Sequence, residues 1–156
     1  MMAETVKEDG GDRLTATNVP KKILVVDDDW MIRKLLSEEL ESKGYQVSTG
    51  IDCSQAVSAV REQRPDLILL DIIFPPDVGH GGGAAWDGLS IMVWLRRMEE
   101  ARDTPFIIIS GADPAVWEDR VLAAGAAAFF PKPIDYEKLL LAINEALGGD
   151  ADGGPS

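Results

Sequence analysis

The stretch Ile23-Leu-Val-Val-Asp-Asp-Asp29 decides the fold of this chain. Four apolar residues, two of them β-branched valines, form a run too short for a buried helix, and three carboxylates end it abruptly. Such a run reads as a strand buried on both faces, with its polar end at a sheet edge. Outward from it, similar strands are expected at Tyr45 to Thr49, Leu67 to Leu70, Phe106 to Ile109 and Ala127 to Phe130. Between them, apolar residues at i, i+3 and i+4 predict helices over Trp30 to Lys43, Ser54 to Gln63, Leu89 to Glu100, Pro114 to Ala124 and Tyr136 to Leu147. Gly44, Gly125 and Gly148 suit left-handed helix ends, and Asp113 before Pro114, like Asp135, suits an N-cap.

Strict alternation of buried strands and helices implies a parallel sheet covered on both sides by right-handed crossovers. The expected fold is therefore α/β, a doubly wound (βα)5 arrangement of five parallel strands. In such sheets the reactive crevice lies beyond the carboxyl ends of the strands. Residues 1–20 lack any period and read as a flexible arm, and 149–156, rich in Gly and Asp, read as a flexible tail.

Composition narrows the function. With 46% hydrophobic and 27% charged residues the chain has the make-up of a soluble globular domain. A net charge of −12, from 27 acids against 15 bases, repels a phosphate backbone, so no nucleic-acid partner is expected. No apolar run approaches the roughly 18 residues that cross a bilayer, so no membrane association is expected. The single cysteine, Cys53, permits no internal disulfide, and a reducing cytoplasm is the simplest setting.

The chemistry sits at the strand ends: Asp27, Asp28 and Asp29 after the first, Asp71 after the third, Ser110 after the fourth and Lys132 after the fifth. Taken singly, each has a bland reading as an N-cap, a turn former or a surface loop charge. Together they fall on one edge. Carboxylates converging in one cleft repel unless a cation intervenes, and a hard divalent ion, Mg²⁺ by preference, is the usual solution. One carboxylate can then act as nucleophile on phosphorus, while metal and ammonium neutralise the phosphoryl oxygens.

At this point the chain resembles the response-regulator receiver domains of two-component signalling, over about residues 21–148. Ile23-Leu-Val-Val-Asp-Asp-Asp29 matches the family's opening strand and acidic pair, Pro65-Asp-Leu-Ile-Leu-Leu-Asp71 its phosphoacceptor strand, Ile107-Ile-Ile-Ser-Gly-Ala112 its switch strand and Phe130-Pro-Lys-Pro133 its lysine motif. The resemblance implies a flavodoxin-like strand order 2-1-3-4-5. It implies that Asp71 is phosphorylated, that Asp27, Asp28, Asp71 and the backbone carbonyl of Ile73 hold Mg²⁺, and that Lys132 contacts the phosphoryl group. Asp29 is then an N-cap, and Ser110 and Phe129 are the switch hydroxyl and aromatic. The peptide bond after Lys132 is typically cis in the family.

A histidine kinase or phosphotransfer protein is the implied donor. A downstream target protein is the implied reader, reached by contact or by onward phosphotransfer, because no output segment is recognised after Leu147. Such a protein is not an enzyme in the ordinary sense, since it catalyses only its own phosphorylation and dephosphorylation. The chain departs from the family in a Gly-rich extension over 76–86, which holds the only histidine, His80, and is expected to overhang the cleft. Neither Ile73 nor Ala112 carries a side chain that orients water, which predicts a long-lived phosphorylated form.

Two rival readings remain at this stage. One is a phosphorylation-independent binding module of the same fold. The other is a phosphatase of the haloacid-dehalogenase type, suggested by the Asp-x-Asp within Asp27-Asp28-Asp29.

Overall fold

Five strands, Lys22–Val26 (β1), Gln46–Gly50 (β2), Leu67–Asp71 (β3), Phe106–Ser110 (β4) and Ala128–Pro131 (β5), form one sheet in a computed structural model that describes residues 19–72 and 88–148. All pairings are parallel and the order is β2-β1-β3-β4-β5, the expected 2-1-3-4-5. Strand order reverses between β1 and β3. The register Val26↔Leu70 brings the ends of these two central strands level, so the residues that follow them meet at the switch point of the sheet. Every residue of β3 and β4 is buried, as parallel strands covered on both faces require.

Helices Trp30–Ser42 (α1), Cys53–Gln63 (α2), Gly88–Leu95 (α3), Pro114–Ala123 (α4) and Tyr136–Ala146 (α5) divide between the two faces. Leu36 and Leu40 of α1 and Leu139 and Ile143 of α5 cover Ile23, Val25, Leu67, Leu69, Ile107 and Ile109. Ala56 and Val60 of α2, Ile91 and Met92 of α3 and Val121 of α4 cover Leu24, Val26, Ile68, Leu70 and Ile108. Alternate strand residues thus feed two separate cores, the period-2 consequence of the pleat.

Helix ends follow side-chain chemistry. Asp29, Asp113 and Asp135 cap α1, α4 and α5 by accepting from Met31, Ala115 and Lys138 N–H groups. Gly44 and Gly125 take the left-handed φ of +95° and +110° that a Cβ would resist. α2 begins one residue earlier than expected, because Asp52 accepts from the Gln55 N–H as its N-cap. β2 is displaced by one residue, with Tyr45 packed on the α1 side of the core before the strand starts.

The larger correction concerns α3. Its expected run to Glu100 stops at Leu95, and a turn and a short 3-10 segment, Glu99–Ala101, complete the connection. That break lets Ala101 bury fully and Met98 pack against the same core as α3. The arm up to residue 18, Ile73, the extension at 76–86 with His80, and the tail 149–156 lie outside the described residues.

Candidate functional site

β1 stops at Val26, and the next residue, Asp27, is carried down into the sheet edge by one more ladder-like bond, its N–H donating to the Gly50 carbonyl at 3.1 Å. Its side chain is consequently buried, at 2% exposure, whereas Asp28 is exposed. The Asp29 N–H donates to Asp27 Oδ1 at 2.9 Å, a short turn that aims both carboxylates over the end of the sheet before Asp29 starts α1.

Asp71 and Ser110 were expected just past their strands and are instead the last residues of β3 and β4, one row inside the edge. Asp71 is 5% exposed and Ser110 fully buried. Ser110 Oγ accepts from the Ala112 N–H at 2.9 Å. Lys132 follows β5, its N–H donating to the Ser110 carbonyl at 2.8 Å, and the Lys132–Pro133 bond is cis. This anchoring directs the ammonium back across the edge, where Lys132 Nζ bridges Asp27 Oδ2 at 2.9 Å and Asp71 Oδ2 at 3.2 Å.

Two opposed influences act on that lysine. Burial, the largest single influence, lowers its pKa, but hydrogen bonding to Asp27 and the negative charges of Asp71 and Asp27 together outweigh it, so the net pKa is raised. The ammonium is thereby fixed in its charged form. Oxygen atoms of Asp27, Asp28 and Asp71 lie within 4.8 Å of one another, three hard ligands in a space that suits one divalent cation.

Phe129 is 8% exposed and packs in the core on the α2, α3 and α4 side. It pairs in register with Ile108, and Ser110 lies two residues beyond Ile108, on the same sheet face. Asp27, Asp28, Asp71 and Lys132 are therefore brought together, with Ser110 beside them and Phe129 beneath. Sequence reasoning missed Arg33, whose Nη1 donates to the Asp27 carbonyl at 2.8 Å. An arginine on an amphipathic helix reads as a solvated charge, and nothing in the sequence marks a backbone carbonyl as its partner.

The family model of the response regulator receiver domain matches residues 23–144. The chain belongs to that family. Receiver domains are phosphorylation-controlled switches rather than ordinary enzymes, and neither rival reading is favoured by the relatives. One relative, the polar-differentiation response regulator DivK of Brucella anthropi, is 30% identical over 130 residues, covering 83% of this chain and 98% of DivK. Response regulator MprA of Mycolicibacterium vanbaalenii is 32% identical over 129 residues, but the chain spans only 51% of MprA. Among solved structures, the receiver domain of the sensor histidine kinase PA1611 from Pseudomonas aeruginosa PAO1 superposes with a TM-score of 0.67 at 28% identity, covering 84% of this chain and 100% of that domain. That receiver domain was solved with a magnesium ion coordinated in its active site cleft. In the receiver domain described here, no helix among the described residues is long and apolar enough to cross a membrane.

Proposed function

We propose that this receiver domain accepts a phosphoryl group on Asp71 from a histidine kinase or phosphotransfer protein in the cytoplasm, and passes the signal to a target protein by contact or by onward phosphotransfer. The observation that carries the reading is Lys132 Nζ, held 3.2 Å from Asp71 Oδ2 beside two further carboxylates. An isolated buried aspartate would be a poor acceptor for an anionic phosphoryl group, because negative charge would meet negative charge.

Asp27, Asp28 and Asp71, with the Ile73 backbone carbonyl, are the groups assigned to hold Mg²⁺, and the oxygens of the three carboxylates converge closely enough to share one ion. When bound, Mg²⁺ supplies positive charge that offsets the phosphoryl oxygens during transfer. In the transfer itself, a carboxylate oxygen of Asp71 forms the new O–P bond while the P–N bond of the donor phosphohistidine breaks and its electron pair returns to the imidazole. Lys132 neutralises the second face of the transferring group without moving far, since it already lies against Asp71. The domain thus catalyses its own modification and nothing else.

Signal propagation follows from burial. Ser110 Oγ, which accepts from the Ala112 N–H, turns to donate its hydroxyl hydrogen to a phosphoryl oxygen, and the space it leaves is available to Phe129 on the same face of the sheet. The surface of α4, β5 and α5 is altered in turn, a population shift between two packings.

Intact-mass measurement after treatment with acetyl phosphate and Mg²⁺, comparing wild type with Asp71→Asn, tests the proposal. A phosphoryl adduct on wild type alone is expected. An adduct of equal yield on Asp71→Asn, or none on either protein, overturns it.

A further inference from the structure

We propose that Arg33 is a positioning residue for Asp27, fixing the backbone of a metal-binding carboxylate from the adjacent helix. The inference rests on the reading of Asp27 as a metal ligand. Four polar atoms of Asp27 have named partners: its N–H donates to the Gly50 carbonyl at 3.1 Å, Oδ1 accepts from the Asp29 N–H at 2.9 Å, Oδ2 accepts from Lys132 Nζ at 2.9 Å and the carbonyl accepts from Arg33 Nη1 at 2.8 Å. One partner, Gly50, ends the neighbouring strand β2, one, Lys132, reaches across the sheet edge from the end of β5, one belongs to the turn, and one to α1.

The carbonyl is the atom most in need of a partner. Asp27 lies just beyond β1, so its C=O has left the regular ladder, and it precedes the N-cap Asp29, so no helical N–H reaches it. Arg33, one turn into α1, points back toward the helix N-terminus as helical side chains do, and its guanidinium supplies the donor. The bond ties the strand end to the first turn of α1, the two bodies whose relative placement sets where the Asp27 and Asp28 carboxylates point.

Charge separates this role from a plain electrostatic one. A guanidinium near the cleft repels Mg²⁺, so removing its charge, taken alone, tightens Mg²⁺ binding. Loss of positioning works in the opposite direction, because supports behind a metal ligand are commonly worth 10- to 100-fold in affinity. The sign of the change is thus diagnostic.

Isothermal titration of the full chain with MgCl₂ reads it directly, without any phosphoryl donor. Arg33→Met keeps stem length and removes charge and donor, and about tenfold weaker Mg²⁺ binding is expected. Arg33→Lys, which restores a charged donor, should recover part of the loss. Unchanged or tighter Mg²⁺ binding by Arg33→Met overturns the proposal. Should that variant not fold, as judged by circular dichroism, Arg33→Gln carries the same test, its shorter amide falling short of the carbonyl. Asp27→Asn serves as the control for the underlying reading. If it binds Mg²⁺ as wild type does, Asp27 is not a ligand. If it loses binding while the Arg33 variants keep theirs, only the positioning role fails.

Discussion

Lys132 Nζ sits closer to Asp27 Oδ2, at 2.9 Å, than to Asp71 Oδ2, at 3.2 Å, so one ammonium ties together two carboxylates that arrive from different strands. Both carboxylates are almost wholly buried, and neither is placed to be compensated by bulk water. Lys132→Met should therefore lower the stability of the metal-free protein by about 2 kcal/mol, the scale of a charged hydrogen bond lost from a buried acceptor. Added Mg²⁺ should recover much of the loss by binding the folded state alone. Urea unfolding with and without Mg²⁺ checks both parts. Equal stability of wild type and variant without metal would mean the bridge contributes nothing.

The same bridge sets a pH dependence. Because the folded-state pKa of Lys132 is raised above its ordinary value of 10.5, the folded protein holds that proton more tightly than the unfolded chain. Its contribution to stability is then fully present below about pH 10.5 and is lost as pH rises through the higher folded value. Burial also raises Tyr45, Tyr136 and Cys53, with Glu39 adding to Tyr136 and Asp52 to Cys53, so total stability falls in alkali for several reasons. Subtracting the Lys132→Met curve from the wild-type curve isolates the lysine. The difference should be flat from pH 8 to 10 and shrink above it. A difference that grows with pH would contradict this sign.

Asp28 is exposed, unlike its neighbour, and makes no contribution to the core. Asp28→Ala should leave stability within about 0.5 kcal/mol of wild type, as surface changes do. Mg²⁺ binding and labelling by acetyl phosphate should nevertheless be abolished, since the cluster loses one of three charges. Undiminished labelling would place the metal on other residues.

What the sequence made legible, and what it hid, divides by range. Caps such as Asp29, Asp113 and Asp135 were readable because a side chain and its partner N–H lie within three residues of one another. The cleft was readable because strand order and strand ends are consequences of apolar runs, which put Asp27, Asp71 and Lys132 on one edge whatever the helices do. The end of α3 was not readable. Met98 continues the apolar spacing of Ile91 and Leu95, and only the tertiary demand to bury Ala101 and to bring Arg96 to the Gly125 carbonyl stops the helix at Leu95. Arg33 was hidden for a similar reason, because its partner is a backbone oxygen that carries no sequence signal.

Gly125 is a position where two demands coincide. Its φ of +110° disfavours any side chain, and an added Cβ would lie 2.5 Å from Arg96 Nη1, which donates to the Gly125 carbonyl at 2.9 Å. Gly125→Ala should cost about 1 to 2 kcal/mol from the backbone alone, and displacing Arg96 should add to it. In an Arg96→Ala background the same substitution should cost less, with about 0.5 kcal/mol or more of coupling. Denaturant midpoints of the two single variants and the double variant measure it. Strict additivity would show that Arg96 moves aside freely.

Ala112 decides how long a phosphoryl group on Asp71 should last. Its N–H donates to Ser110 Oγ at 2.9 Å, so its Cβ projects from the same short turn that lines the cleft, and it is partly exposed. Hydrolysis of an acyl phosphate requires water placed in line with the breaking bond, and a methyl group offers such a water no hydrogen bond. Ile73, the other residue expected to flank phosphorus, is equally unable to orient water through its side chain. Slow dephosphorylation is the expected behaviour of wild type. Ala112→Glu supplies a carboxylate acceptor at the cleft rim and should speed loss of the Asp71 phosphoryl group by about tenfold or more, within the range of a positioned general base. The comparison is made by intact mass over time after removal of acetyl phosphate, with His80→Ala as a third arm. Fast wild-type decay that His80→Ala slows would instead assign the water to the 76–86 extension, and the side chain at Ala112 would then have no part in setting the lifetime.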